Sequence, residues 1–244
     1  MKIAILGTRG VPNHYGGFEQ FASYLSRFLV VNYHDVTVYN SSRHPYQEKE
    51  WKGVKIVHCY DPEKLKTAGQ FIYDLNCIID SRSKDFDIIL QLGYTSSSIW
   101  GPLLPKKAVV ITNMDGLEWK RTKFSKPVRL FLKFAEWLAV KTSDFLIADS
   151  LGIKEYLEKN HQKTAYYIPY GADAFHNPDF AMLKDYNVSP NNYDMLLARL
   201  VSENSIEVIL DGVAQAKEDR PFLVIGDHET VFGEYLKEKF KHIT

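Results

Sequence analysis

The chain opens on a short apolar run, residues 2–6, closed by Gly7, which has the form of a buried parallel strand. Residues 18–31 then carry Phe21, Ala22, Leu25, Phe28 and Leu29 at helical spacing, and residues 34–39 return to strand character with Val36 and Val38 alternating. Strand-like runs recur at 54–57, 88–92, 108–112 and 145–148, with helical stretches at 70–82, 127–142 and 150–159. Tyr166-Tyr167-Ile168-Pro169-Tyr170-Gly171 reads as a last strand and its exit turn. Strands alternating with helices predict a parallel sheet with right-handed crossovers. Residues 1–171 are therefore expected to form one complete, doubly wound α/β domain of Rossmann-like type.

The pattern then pauses and restarts. Residues 172–191 are polar and contain Pro178 and Pro190, so they read as a linker. Beyond them the spacing predicts a strand (193–198), a helix (205–217), a strand (222–225) and a helix (230–240). Residues 192–244 are thus expected to form a partial second Rossmann-like domain. Two parallel strands alone leave a sheet edge and much apolar surface unpaired. Either another subunit completes this piece or the chain has been cut short. Only the architecture recurs; no internal sequence repeat is present.

Composition narrows the class. Of the 244 residues 45% are hydrophobic and 25% charged, as in a soluble globular protein. Lys plus Arg and Asp plus Glu are 30 each, and a formal net charge of zero argues against a dedicated nucleic-acid binder. Cys59 and Cys77 match no metal spacing and no disulfide framework, which fits a reducing compartment. Gly7 and Arg9 break the first apolar run too early for a secretory signal, and no stretch approaches the roughly 20 apolar residues that span a bilayer. The expected location is cytoplasmic, with peripheral contact at the inner face of the membrane considered below.

In open α/β sheets ligands bind beyond the carboxyl ends of the strands. After the first strand come Gly7-Thr8-Arg9-Gly10-Val11-Pro12 and then Tyr15-Gly16-Gly17-Phe18-Glu19, opening a helix. Such a loop lets backbone N–H groups approach an anion, and the helix N-terminus favours phosphate. A plain tight turn is the alternative, but two glycine clusters in one long loop favour the anion. A dinucleotide fold wants Gly-x-Gly-x-x-Gly and an acid after the second strand, and this sequence supplies neither. Asp85-Phe86-Asp87 resembles a metal-holding Asp-x-Asp, yet it precedes a strand, at the wrong end of the sheet. No His-rich metal spacing occurs, so neither a protein-bound metal nor a cofactor is expected.

The segment Asn113-Met114-Asp115-Gly116-Leu117-Glu118-Trp119-Lys120-Arg121 follows the strand at 108–112. An acid there, Asp115 or Glu118, could hydrogen-bond sugar hydroxyls or accept a proton. Trp119 could stack on a sugar ring and Arg121 meet a phosphate. The alternative is a helix start with Asp115 as cap and Glu118 closing a capping box. Further on, Pro127 opens a helix that interleaves Arg129, Lys133 and Lys141 with Phe131, Phe134 and Trp137. Lys126, Arg129 and Lys133 share one face, and with Lys120, Arg121 and Lys123 they could meet anionic headgroups. The default for such a helix is a solvated face beside a buried one.

These residues, in this order, resemble glycosyltransferase family 4, of the two-Rossmann-domain (GT-B) type, in the branch containing bacterial rhamnosyltransferases of capsule and O-antigen synthesis. The likeness is carried by the two glycine clusters and by Asp115-Gly116-Leu117-Glu118-Trp119-Lys120-Arg121. It continues through Ile147-Ala148-Asp149-Ser150, Ile168-Pro169-Tyr170-Gly171-Ala172-Asp173 and Ala198-Arg199-Leu200-Val201-Ser202-Glu203-Asn204. It implies metal-independent transfer, with retention, of a sugar such as rhamnose from a nucleotide-diphosphate sugar to a lipid-linked or oligosaccharide acceptor, in a cleft between two domains. On that likeness Gly16, Gly17, Arg199 and Asn204 meet the donor diphosphate, Asp115 and Glu118 are catalytic, and Arg9, Tyr15, Glu19, Trp119 and Arg121 bind substrate. The likeness further implies that the leaving phosphate takes the acceptor's proton, while Asp115 orients and stabilises.

Two features depart from the family. Glu203-Asn204 stands where many members carry a diphosphate-binding Lys, and the later Glu-x7-Glu region has no counterpart before Thr244. The resemblance therefore implies that roughly a third of the enzyme is not in this chain. A non-catalytic homologue that binds acceptor, membrane or a partner subunit is the competing expectation. A nucleotide-sugar 2-epimerase shares the two-domain plan.

Overall fold

A computed structural model describes residues 1–121, 124–216 and 219–241, and they divide into two units, Met1–Gly171 and Ala172–Thr244. The first unit is built on strands β1 (Lys2–Leu6), β2 (Asp35–Ser41), β3 (Glu50–Trp51), β4 (Val54–Cys59), β5 (Ile88–Leu92), β6 (Val109–Asn113), β7 (Phe145–Ala148) and β8 (Ala165–Tyr167). They form one sheet in the order β3-β4-β2-β1-β5-β6-β7-β8, in which every pairing is parallel except β3 with β4. The order reverses beside β1, so its carboxyl end lies at the switch point where such sheets bind ligands.

Helices α1 (Gly17–Val31), α2 (Thr67–Arg82), α3 (Lys126–Thr142) and α4 (Leu151–His161) cover the sheet. Alternation along β1 shows the two faces directly. Ala4 and Leu6 pack with Tyr73, Cys77 and Ile78 of α2, while Ile5 packs with Ala22 of α1. A third cluster joins Ala135, Ala139 and Val140 of α3 to Leu146 and Ala148 of β7 and Leu157 of α4. Local chemistry sets the helix ends. Pro127 occupies the first turn of α3. The Ser150 hydroxyl accepts the Ile153 N–H at the start of α4, and Lys159 and His161 lie in its last turn, where the helix dipole favours cations.

The second unit holds a short 3-10 helix (Phe180–Tyr186), strands β9 (Asp194–Leu197) and β10 (Phe222–Ile225), and helices α5 (Ile206–Ala216) and α6 (Val231–Phe240). The two strands pair in parallel. Leu200, Ile206, Leu210, Leu236 and Phe240 form the buried cluster beneath them. The Thr230 hydroxyl caps α6 by accepting the Gly233 N–H at 3.0 Å. Residue 217, expected to end the helix here called α5, lies outside the described residues.

Candidate functional site at the carboxyl edge of the first sheet

The loop after β1 is tied down by its own side chains. Glu19, in the first turn of α1, is buried and turns its carboxylate back into the loop. It accepts the Arg9 backbone N–H at 2.6 Å and the Thr8 hydroxyl at 3.1 Å. Gly16, at φ 117°, is required by this arrangement, because a Cβ there would lie 2.0 Å from Glu19 Oε2. Asn40, at the end of β2, accepts the Val11 N–H and donates to the Val11 carbonyl. Glu19, expected to bind substrate, fastens the loop with this carboxylate and also borders the cavity beneath it. Tyr15, Gly16 and Gly17 remain exposed, and a Cβ on Gly17 would meet nothing within 4 Å.

Beneath this loop lies a cavity of about 300 Å³, bordered by Thr8, Arg9, Glu19, Gln70, Asp74 and Ser96 among others. Arg9 pairs with the buried Asp61 and lies 5.4 Å from the Tyr73 ring centroid. Asp74, on α2, is buried and accepts hydrogen bonds from Ser96 Oγ and, at 2.9 Å, from Gln70 Nε2. Burial pushes its carboxyl up to about 6, against the opposing pull of those hydrogen bonds and of Arg9. A buried carboxyl with a raised pKa at a polar cavity is a feature that sequence reasoning missed. The available signal was an acid on the inward stripe of α2, one residue from the buried Tyr73.

A second cluster follows β6. Asp115 has φ 43°, a left-handed conformation that Asp tolerates better than most residues, and its N–H donates to Asn113 Oδ1 at 3.1 Å. Burial raises its carboxyl above the usual range; nearby Asp149 adds to the rise, while the Gly116 N–H and Arg121 oppose it. Asp149 Oδ1 is buried without a hydrogen-bond partner. Tyr94 donates to the Gly116 carbonyl at 3.2 Å, and the Asn113 amide approaches the Tyr170 hydroxyl at 3.5 Å. Burial, with the charge of Asp115, pushes the Tyr170 phenol up to about 12.

The helix-start reading of this segment is corrected. Asp115 caps no α-helix; Glu118–Lys120 form one 3-10 turn, and α3 begins only at Lys126. Glu118 pairs with Arg121 at 2.8 Å. Trp119 is engaged elsewhere. Its indole N–H donates to the fully buried Glu136 at 2.9 Å, and the Lys120 and Lys133 ammonium groups lie 5.5 and 5.1 Å from its ring centroid. Glu136 also accepts from Tyr156 at 2.8 Å and pairs with His161 Nε2 at 2.9 Å. Trp119 thus anchors the Asp115 segment to α3 and α4, with the Lys120 and Lys133 cations over its ring.

The remaining expected residues lie on the second unit. Arg199 is exposed after β9, and the Asn204 amide donates to the Arg199 carbonyl at 2.8 Å. Among the described residues, no group of three or more His, Cys, Asp or Glu side chains converges as a metal site. Asp87, from the Asp-x-Asp run, instead accepts the Lys2 N–H at 2.6 Å at the amino end of the sheet.

Comparisons bear on the fold. The profile of a family described as a domain of unknown function (DUF1972) matches residues 1–173. No curated protein matches the chain. Sucrose-phosphate synthase from Thermosynechococcus elongatus superposes with a TM-score of 0.75 at 16% identity, over 98% of this chain and 68% of that one. UDP-GlcNAc 2-epimerase from Methanocaldococcus jannaschii gives 0.57 at 14% identity, over 100% and 69%. UGT89C1 from Arabidopsis thaliana, in complex with UDP, gives 0.54 at 12% identity, over 98% and 69%. The architecture is that of the GT-B type, with a full first Rossmann-like unit and a two-stranded second one among the described residues.

Proposed function

Starting from a chain that belongs to the DUF1972 family and carries a GT-B-type fold, we propose that it serves sugar transfer from a nucleotide-diphosphate sugar. The observation that carries this reading is the gathering of Asp115, Asp149 and Arg121 at the carboxyl edge of the sheet where β6 and β7 end. A structural neighbour, UGT89C1, has been crystallised with UDP-L-rhamnose, which supports a nucleotide sugar as the ligand class. In the proposed reaction the bond from the anomeric carbon to the donor phosphate oxygen breaks. A bond from that carbon to the acceptor oxygen forms on the same face, and the acceptor proton passes to the leaving phosphate. Asp115 orients the acceptor hydroxyl and stabilises the positive charge that develops on the sugar.

On this reading Arg121 offers a cationic donor to the diphosphate. Gly17, with open space where a Cβ would stand, and the exposed Gly16 beside it are proposed to offer backbone to the diphosphate, and within the second unit Asn204 holds the loop of Arg199, the further residue proposed for that group. Arg9 and Tyr15 border the acceptor side, and the acceptor is a lipid-linked saccharide of surface polysaccharide synthesis. Rhamnose as the donor sugar, retention and independence of metal belong to the same proposal. Calorimetric titration with a panel of nucleotide sugars and bare nucleotides, without metal, tests it. Saturable binding of one nucleotide sugar, tighter than its bare nucleotide, is the expected result. Absence of binding at millimolar ligand would point instead to a non-catalytic homologue.

A further inference from the structure

Helix α3 has two very different sides. One, formed by Leu132, Ala135, Glu136, Ala139 and Val140, is buried. The other is open: Leu130 is 71% exposed, Phe134 52% and Trp137 45%. These three recur at i, i+4 and i+7 and so form one stripe along the helix. The Phe134 and Trp137 rings stack on one another, 5.9 Å between centroids with 19° between planes, at the surface and outside the core. Lys126, Arg129, Lys133 and Lys141 are exposed around them. Glu136, the helix's one acid, is fully buried, so α3 turns bases and aromatics outward and no carboxylate.

That combination discriminates among possible occupants. A merely solvated face gains nothing from three large apolar side chains. The centre of a protein interface is normally depleted of lysine. An anionic bilayer fits both halves, with Leu, Phe and Trp at the acyl boundary and Lys and Arg stems reaching headgroup phosphates. Among the described residues no helix is long and apolar enough to cross a membrane, so contact of this kind would be interfacial. We propose that the outer face of α3 docks the protein on the surface of a bilayer that contains anionic lipid.

The docking face is fixed to the candidate site. Arg129 Nε donates to the Trp119 carbonyl at 2.7 Å, which ties the first turns of α3 to the segment carrying Asp115. Docking would hold that segment beside the headgroups, where a lipid-linked acceptor presents its sugar. This consequence rests on the transferase reading; the docking itself does not. Of the further bases expected to join the patch, Lys120 is exposed, Arg121 is paired with Glu118, and Lys123 lies outside the described residues.

The test is co-sedimentation of the chain with phosphatidylcholine vesicles, with and without phosphatidylglycerol. Binding is expected only to the anionic vesicles and should weaken with salt. A Phe134→Ser/Trp137→Ser variant should bind at least about tenfold more weakly. Lys126→Glu/Lys141→Glu should lose about tenfold or more, since each basic group near an anionic surface contributes roughly fivefold. These side chains are exposed, so both variants should keep the wild-type melting transition and, without vesicles, the wild-type nucleotide-sugar affinity. Equal binding to both vesicle types, or variants that bind as well as wild type, would overturn the proposal. So would an aromatic variant that turns a dimer into a monomer while vesicle binding stays unchanged; the face would then cover a second copy. Failure of nucleotide-sugar binding in wild type would count against the transferase reading alone.

Discussion

The two units share the strand–helix pattern but differ in how far it is closed. In the first, the central strands are buried on both faces: Ala4, Leu6 and Ile89 lie on one side, and Ile5, Leu90 and Leu92 on the other. In the second, two strands rest on one cluster of five buried residues, and Met195, Leu197 and Val224 are exposed. A cavity of about 430 Å³ opens among Leu200, Leu210, Phe222, Leu236 and Phe240. A parallel strand becomes rigid when neighbours flank it and helices cover both faces. The candidate acid, Asp115, sits on the closed unit, where a carboxylate can be held in place.

Substitutions can break or sharpen that contrast. The largest effect is expected for Gly7→Ala. Gly7 has φ 83°, and a Cβ there would lie 2.3 Å from the Leu92 carbonyl oxygen, so β1 and β5 must separate. The first unit should lose roughly 4 kcal/mol, read as lost hydrogen-exchange protection in β1 and β5. Glu136→Ala should follow at about 3 kcal/mol, since it leaves the Trp119, Tyr156 and His161 donors without their shared acceptor. Indole fluorescence should report a freed Trp119, and Glu136→Gln should recover part of the loss.

A matched pair of core truncations compares the units directly. Leu146→Ala removes a fully buried side chain from the first unit and should cost about 4 kcal/mol. Leu236→Ala, beside an existing cavity in the second, should cost about 2 kcal/mol. Exchange protection measured separately in each unit checks the difference; equal losses would mean that the second unit is as tightly packed as the first. The smallest effect is a pH dependence. The folded Asp74 carboxyl, raised from 3.8 to about 6, keeps a proton that the unfolded chain releases. Stability therefore falls as pH climbs through that window. Asp74→Asn should remove this slope and, at pH above it, stabilise the first unit by about 1 kcal/mol after its altered hydrogen bonds are counted. Melting curves of both proteins across the window would show it.

Periodicity located most of the scaffold because buried parallel strands are continuous apolar runs, and 2–6, 88–92 and 145–148 coincide with β1, β5 and β7. It passed over β3, whose two residues pair with β4 across a turn in which Lys52 and Gly53 both have positive φ. That Lys-Gly pair was the readable sign. At the site, residue type marked Asp115 and the glycine clusters, because their positions follow strand ends. The hold of Glu19 on its own loop was not legible, because a first-turn acid carries no mark of which groups it will accept from. The bond from Trp119 to Glu136 was not legible, because the two lie 17 positions apart. Asp74 and Ser96 lie 22 positions apart and meet only through the crossover between β4 and β5.

The most direct test of the central claim is nucleotide-sugar turnover by wild type and Asp115→Asn, with donor affinity measured in parallel. If Asp115 stabilises the reacting sugar, turnover should fall at least about 100-fold while donor affinity changes by less than about threefold. Equal turnover by the two proteins would contradict the assignment, and with it the placement of the transfer chemistry at the carboxyl edge of the first sheet.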